Sequence, residues 1–164
     1  MKIMNRIILI LIIVVASILR FWSLDKFPVG LFGDEVDVGY QAYSLLHTGK
    51  DYMGQNLPTY VHSLSEWRAP LFIYATIPSV AIFGLNEWGV RGADALFGVL
   101  GVLLIYLLGK KLWNEKIGLF SALLLAILPW HIHYSRAAFE VTLLLDLILL
   151  GTLFFLDSIK STKK

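Results

Sequence analysis

Residues 7–19 carry no charge and, Ser17 apart, no polar side chain, with Lys2 and Arg6 before them and Arg20 after. No other feature narrows the fold as far. With Phe21 and Trp22 as an interfacial belt, the segment from about 4 to 22 is long enough to cross a hydrocarbon core of roughly 30 Å as a helix. A cleaved signal peptide shares the basic start and apolar centre, but no small-x-small cleavage site follows, so the segment reads as an uncleaved anchor. The remainder has the same character: of 164 residues, 57% are hydrophobic and 16% charged, against roughly 45–50% apolar in soluble domains. A membrane protein is therefore expected. The lack of cysteine excludes disulfides, thiolate metal sites and cysteine nucleophiles. A formal charge of +2 without a basic stripe gives no indication of nucleic acid as a partner.

Three further segments, about 94–109, 117–134 and 139–156, are apolar enough to cross, each relying on interfacial residues to extend it. Segment 70–84 is ambiguous, with 15 apolar-rich residues interrupted by Pro78. The basic residues arbitrate. If 70–84 stays on one side, then Lys2, Arg6, Lys110, Lys111, Lys116, Lys160, Lys163 and Lys164 all face the cytoplasm; if it crosses, the 110–116 turn and the lysine tail move outside and the positive-inside bias inverts. The expected fold is an all-α integral membrane protein of about four transmembrane helices, at the cell membrane, with both termini cytoplasmic. Its long external first loop, 23–93, contains juxtamembrane amphipathic helices, among them an interfacial helix over 70–84.

This topology gathers the unusual residues on one face. Asp34, Glu35 and Asp37 follow the first span closely, and carboxylates beside hydrocarbon are costly unless used or solvated. As a helix start, Asp34 is the N-cap of a helix running from Glu35 to about Thr48, with Val36, Tyr40, Tyr43 and His47 on one stripe and Gly49 as its stop. As chemistry, the same acids are a catalytic base or metal ligands. Arg68 and Arg91 can be chains that only snorkel to headgroup phosphates. Arg136 and Glu140, spaced i, i+4, can be a simple helical ion pair. His131 and His133 would converge on a metal only from an extended segment, since at a helix end they diverge. Asp146, mid-span, must face other helices or be protonated, with packing against Thr142 or another span as its expected role.

The ordered set of Gly33-Asp34-Glu35, Thr48-Gly49-Lys50-Asp51, Arg68-Ala69-Pro70-Leu71, Val90-Arg91, Leu128-Pro129 and Tyr134-Ser135-Arg136 resembles the N-terminal module of the GT-C membrane glycosyltransferases, in the protein-mannosyltransferase and aminoarabinose-transferase-like branch. The resemblance covers nearly the whole chain and implies a single module, 1–164. It implies transfer of a sugar from a polyprenyl-phosphate donor to a hydroxyl of a protein, lipid or glycan on the external face. In that reading Asp34, with Glu35 beside it, carries the general base; Arg68, Arg91 and Arg136 hold the donor phosphate; and Glu140 stands at a second acidic position, departing from the family's usual aspartate and spacing. No cofactor or metal is expected. Family members have many more spans, so the resemblance also implies a missing C-terminal part or a partner chain. A non-catalytic membrane scaffold and a polyprenyl-lipid carrier are the alternatives on the same fold.

Overall fold

The computed structural model describes residues 3–63 and 66–161. Lys2, Lys163 and Lys164, which the orientation argument uses, lie outside them. The chain forms helices α1 (Ile3–Phe21) and α2 (Gly33–Thr48), a short hairpin of β1 (Val61–Ser63) and β2 (Glu66–Arg68), then α3 (Pro70–Phe83), α4 (Glu87–Leu112), α5 (Glu115–Ile127), α6 (Pro129–Tyr134) and α7 (Glu140–Ser161). It is an all-α membrane protein: α1, α4 and α7 are each long and apolar enough to cross. In their most apolar windows only 17% of α1 and of α7 is buried inside the protein, against 56% of α4. The outer pair therefore presents its apolar side chains to lipid, and α4 is the axis.

Axis and neighbours meet at glycines. A side chain at Gly92 would stand 2.6 Å from Ser79 Oγ on α3, and one at Gly101 would stand 2.8 Å from Asp146 Oδ1 on α7. One at Gly109 would come within 3.0 Å of the Gly118 Cα on α5, and at Gly98 it would collide with Ser135. Small residues are what let helix backbones approach closely in lipid, where packing rather than hydrophobic expulsion drives association. Two apolar clusters flank this axis. One joins Val38, Ala42 and Leu45 of α2 to Phe72, Ile73 and Val80 of α3 and Val90 of α4. The other joins Ile12 and Ala16 of α1 to Val102 and Tyr106 of α4 and Leu119, Ala122 and Ala126 of α5.

Two boundaries differ from the sequence reading, each for a local reason. The span placed at 94–109 is the middle of a 26-residue helix. Asn86 caps its start by accepting from the Gly89 N–H at 3.0 Å, and Arg91 and Asp94, which look like flanking charges, are fully buried inside it. The span placed at 117–134 is broken. Pro129 disfavours helical backbone at the residue before it, Leu128 takes φ −65° and ψ 116°, and the chain restarts as α6 with the proline in its first turn. That leaves α5 at 13 residues, about 20 Å long, which is short of the core by itself. The 70–84 segment is a 14-residue helix, about 21 Å long and likewise too short to cross unaided.

The start of α2 is a correction. Its N-cap is Phe32, not Asp34, and Asp34 sits within the first turn. The carboxylate that reaches back to the Phe32 N–H, at 3.2 Å, belongs to Glu35. Gly49 ends α2 as expected, at φ 68° with its N–H on the Leu45 carbonyl. The Val36, Tyr40 and Tyr43 stripe is the exposed face, and Val38, Gln41, Ala42 and Leu45 form the buried one.

The glycine contacts give a matched pair of expectations. At Gly118 a Cβ would stand 2.6 Å from the Tyr106 carbonyl oxygen and 2.9 Å from the Lys110 nitrogen, both backbone atoms that cannot turn aside. Gly118→Ala should therefore destabilise by about 1–3 kcal/mol, as overpacking does. Gly151, also helical, has nothing within 4 Å of that point, so Gly151→Ala should stabilise by up to about 1 kcal/mol. Melting midpoints in detergent check both, and similar shifts of one sign for the two variants would contradict this packing.

Candidate active site

The first turn of α2, the strand β2 and the start of α7 converge on a cleft of about 250 Å³, lined by Asp34, Glu66, Arg68 and Glu140 with Trp67, Ala69 and Phe139. Each element delivers its residue for a local reason. β2 pairs antiparallel with β1, Ser63 opposite Glu66 and Val61 opposite Arg68. Alternation along the strand then puts Glu66 and Arg68 on one side, while Trp67 turns to the other and packs edge-on against His62 at 4.8 Å. Phe139 is fixed by a buried acid of α4: Asp94 Oδ2 accepts its backbone N–H at 3.2 Å. That bond sets where α7 begins, and so where Glu140 stands.

Arg68 organises the charges. Its Nη2 donates to Asp34 Oδ1 at 2.5 Å and to Glu66 Oε1 at 2.7 Å, and its Nε lies 3.5 Å from Asp37 Oδ2. Partial burial alone would lower the Arg68 pKa, but hydrogen bonds to Asp34 and Glu66 and the charge of Asp37 raise it above its ordinary value, so the guanidinium stays charged. The Asp34 side chain is 49% exposed, whereas Asp37 is nearly buried. Asp34 is thus a carboxylate held on one side by a fixed cation and open to the cleft. With Glu66 and Glu140 around it the cleft is acidic.

The other expected site residues lie elsewhere. Glu35 is fully buried and forms a two-pronged pair with Arg91, Nε to Oε1 at 2.6 Å and Nη2 to Oε2 at 2.8 Å. Arg91 spends its remaining donors on the carbonyls of Leu24, Pro28 and Gly30, at 2.5–3.1 Å, so all five of its N–H groups are engaged. Arg136 donates to the carbonyls of Leu19, Arg20, Ser23 and Phe27, closing the C-terminal end of α1 and the turn after it. Burial lowers its pKa. Of the three arginines expected on a phosphate, only Arg68 reaches the cleft. Arg136 and Glu140 do not pair among the described ion pairs. His131 is buried and His133 exposed, so the two diverge, and among the described residues no three His, Asp or Glu side chains are grouped to hold a metal ion.

Sequence reasoning gave no role to Glu66 or Asp94. The first was legible as an i, i+2 partner of Arg68 had 61–68 been read as a hairpin. Asp94 carried the signal that singled out Asp146, a lone acid in an apolar helix.

The chain is a helical membrane bundle with an arginine-tethered carboxylate exposed in a cleft. Residues 67–163 match the family described as dolichyl-phosphate-mannose-protein mannosyltransferase, and the chain belongs to that family. The matched region contains Arg68, Arg91, Arg136 and Glu140 and begins after Asp34 and Glu35. Among curated proteins, the chain is 38% identical over 88 residues to an undecaprenyl phosphate-alpha-4-amino-4-deoxy-L-arabinose arabinosyl transferase 2 of Pseudomonas fluorescens, covering 51% of this chain and 15% of the relative. It is 34% identical over 77 residues to a dolichyl-phosphooligosaccharide-protein glycotransferase 2 of Pyrococcus horikoshii, covering 46% and 10%. The chain thus spans a small fraction of the length of the curated relatives it matches. No solved structure matches it.

The two adjacent acids should separate on mutation. Arg91→Met strands the Glu35 carboxylate in the core and should cost about 3–5 kcal/mol, the usual penalty for half of a buried ion pair. Arg68→Met removes a pair whose Asp34 and Glu66 partners are about half exposed or more and should cost about 1 kcal/mol or less. Denaturation in detergent measures both, and equal losses would contradict the division between a structural and an exposed pair.

Proposed function

We propose that this chain carries the catalytic carboxylate of a glycosyl transfer from a polyprenyl-phosphate donor to a hydroxyl acceptor, with Asp34 as the general base. The observation that carries this reading is the contrast between neighbours. Glu35 is sealed in the core with Arg91, while Asp34 opens on the only cleft among those described that is lined mainly by ionisable side chains. In the step, Asp34 takes the proton of the acceptor hydroxyl and the freed oxygen attacks the anomeric carbon. The bond from that carbon to the phosphate oxygen breaks, and the lipid phosphate leaves with the electron pair. A carboxylate serves twice here, as base and as a negative charge near the oxocarbenium-like centre.

Arg68 tethers Asp34, and its planar fork is also the cleft's means of meeting phosphate. Arg91 and Arg136 support the site from within the fold. This weakens the carrier reading, which needs a cluster of arginines turned outward. The cleft lies on the external face in this proposal, because the α4–α5 turn with Lys110, Lys111 and Lys116 is at the opposite end of α4 from Arg91 and its Glu35 partner.

In membranes carrying the complete assembly, Asp34→Asn should leave the protein folded and donor binding intact while cutting sugar transfer about 10²–10⁴-fold, the usual worth of a general base. Polyprenyl-phosphate-linked mannose and 4-amino-4-deoxy-arabinose are the donors to supply. Near-normal transfer by this variant would remove Asp34 from the chemistry.

Orientation is tested separately, in a chain with no native cysteine. Asn56→Cys, on the exposed loop, should react with a membrane-impermeant thiol reagent in intact cells. Trp113→Cys, 66% exposed in the α4–α5 turn, should react only after permeabilisation. The reverse pattern would put the cleft in the cytoplasm.

A further inference from the structure

Deep in the bundle, away from the cleft, lies a set of ionisable groups that the proposed chemistry does not use. Arg20 is fully buried near the end of α1. Its guanidinium donates to the carbonyl of Ala16 at 3.1 Å and to those of Ala126 and Leu125 on α5, at 3.1 and 3.2 Å. Those α5 carbonyls are near the Leu128–Pro129 break, where the helical ladder ends and acceptors go unfilled. The remaining contact is between Arg20 Nη2 and His131 Nδ1, at 2.7 Å. No carboxylate pairs with Arg20 among the described ion pairs.

The chemistry of that contact fixes the imidazole. Guanidinium has donors and no acceptor, so Nδ1 must accept, and a neutral imidazole then carries its proton on Nε2. His131 Nε2 is buried without a partner, and so are both oxygens of Asp146, a residue only 1% exposed on α7. A donor lacking an acceptor and an acceptor lacking a donor face the same place. The point where a Gly101 Cβ would stand is 2.8 Å from Asp146 Oδ1 and 3.5 Å from His131 Nε2. In the other buried acid between α4 and α7, Asp94, Oδ2 accepts the Phe139 N–H and Oδ1 has no partner.

We propose that Arg20, His131 and Asp146 form one charge-compensated chain through the bundle. The Arg20 cation donates to Nδ1, and the Nε2–H of neutral His131 serves the ionised carboxylate of Asp146 across the space that Gly101 leaves open. Asp146 is the counter-charge of Arg20, relayed by an imidazole, for a cation that no described carboxylate pairs with directly. The chain ties α1, α6 and α7 to the glycine face of α4. It makes His131 and Asp146 positioning residues for the segment that carries Arg136, Phe139 and Glu140. This inference stands apart from the proposed sugar transfer and uses none of its residues as reactants.

Three readouts on the purified full chain test it. Nitrogen-15 NMR of the histidines, with His131 assigned by its loss in His131→Gln, should show a neutral ring protonated on Nε2. Infrared difference spectra between the unaltered protein and Asp146→Asn should show an ionised carboxylate for Asp146. A double-variant cycle should be strongly non-additive. Arg20→Gln and Asp146→Asn should each lower the melting midpoint by several degrees, with the double variant no worse than the poorer single one. Gly101→Ala, which places a methyl group between Nε2 and the carboxylate, should abolish that coupling, whereas His131→Gln, which keeps an acceptor and a donor, should retain part of it. A protonated Asp146 carboxyl band, an Nδ1–H tautomer or additive midpoint shifts would each overturn the proposal. The tautomer comes from protein with Arg20 and Asp146 in place and so does not depend on the charge variants folding.

Discussion

Backbone carbonyls that no helix can satisfy are the constraint around which this molecule is built. In a bilayer such groups cannot turn to water, and every helix end or irregular turn at depth needs a donor from within the protein. Three arginines supply them. Arg20 meets the frayed end of α5, Arg136 the end of α1 and the turn beyond it, and Arg91 the carbonyls of the 24–30 loop. Each is a rigid, permanently charged cluster of five donors. Each bridges segments distant in sequence, from 61 to 117 residues apart for these contacts excepting the local ones. The irregular stretch between α1 and α2 is thereby held from two sides, and the acids of α2 emerge from it in a defined direction.

That direction divides the labour of two neighbours. Successive side chains on a helix diverge by about 100°, so Asp34 and Glu35 cannot share an environment. Glu35 enters the core, where Arg91 and the Phe32 N–H receive it, and Asp34 stays at the rim against Arg68. The buried pair does little net work for stability, since desolvation of two ions offsets most of their attraction. Its effect is orientational: it fixes the rotation of α2 about its own axis and hence which acid faces the cleft.

The sequence carried the class and much of the outline. A charge-free run bounded by basic residues is α1, Gly49 stops α2, and Pro70 and Gly84 bracket α3. Less legible was anything decided by long-range pairing. Arg91 and Asp94 look like the edge of a span until Glu35 and Phe139 are seen to meet them. Arg136 looks like a partner for Glu140 because spacing is local, and its true partners lie more than a hundred residues earlier. The break after α5 was different, for Leu128-Pro129 was in plain view. Apolarity continues across it, and hydropathy records where a chain prefers to be rather than whether its backbone is continuous. In the cleft, Asp34 and Arg68 were legible as charged residues on one face, but Glu66 was hidden inside a hairpin too short to show a pattern.

The arginine contacts also bear on how such a chain can drift over evolutionary time. A guanidinium that grips main-chain oxygens asks nothing of the side chains attached to them. Leu19, Ser23, Phe27 and Pro28 offer Arg136 and Arg91 only their carbonyls. Those positions can exchange identities as lipid contact and packing permit, provided the path of the chain is kept, while the arginines that hold them cannot be exchanged even for lysine without losing the fork. Related chains would then share a few isolated arginines within otherwise dissimilar membrane segments, and kinship would be written in the gripping residue and erased from the gripped.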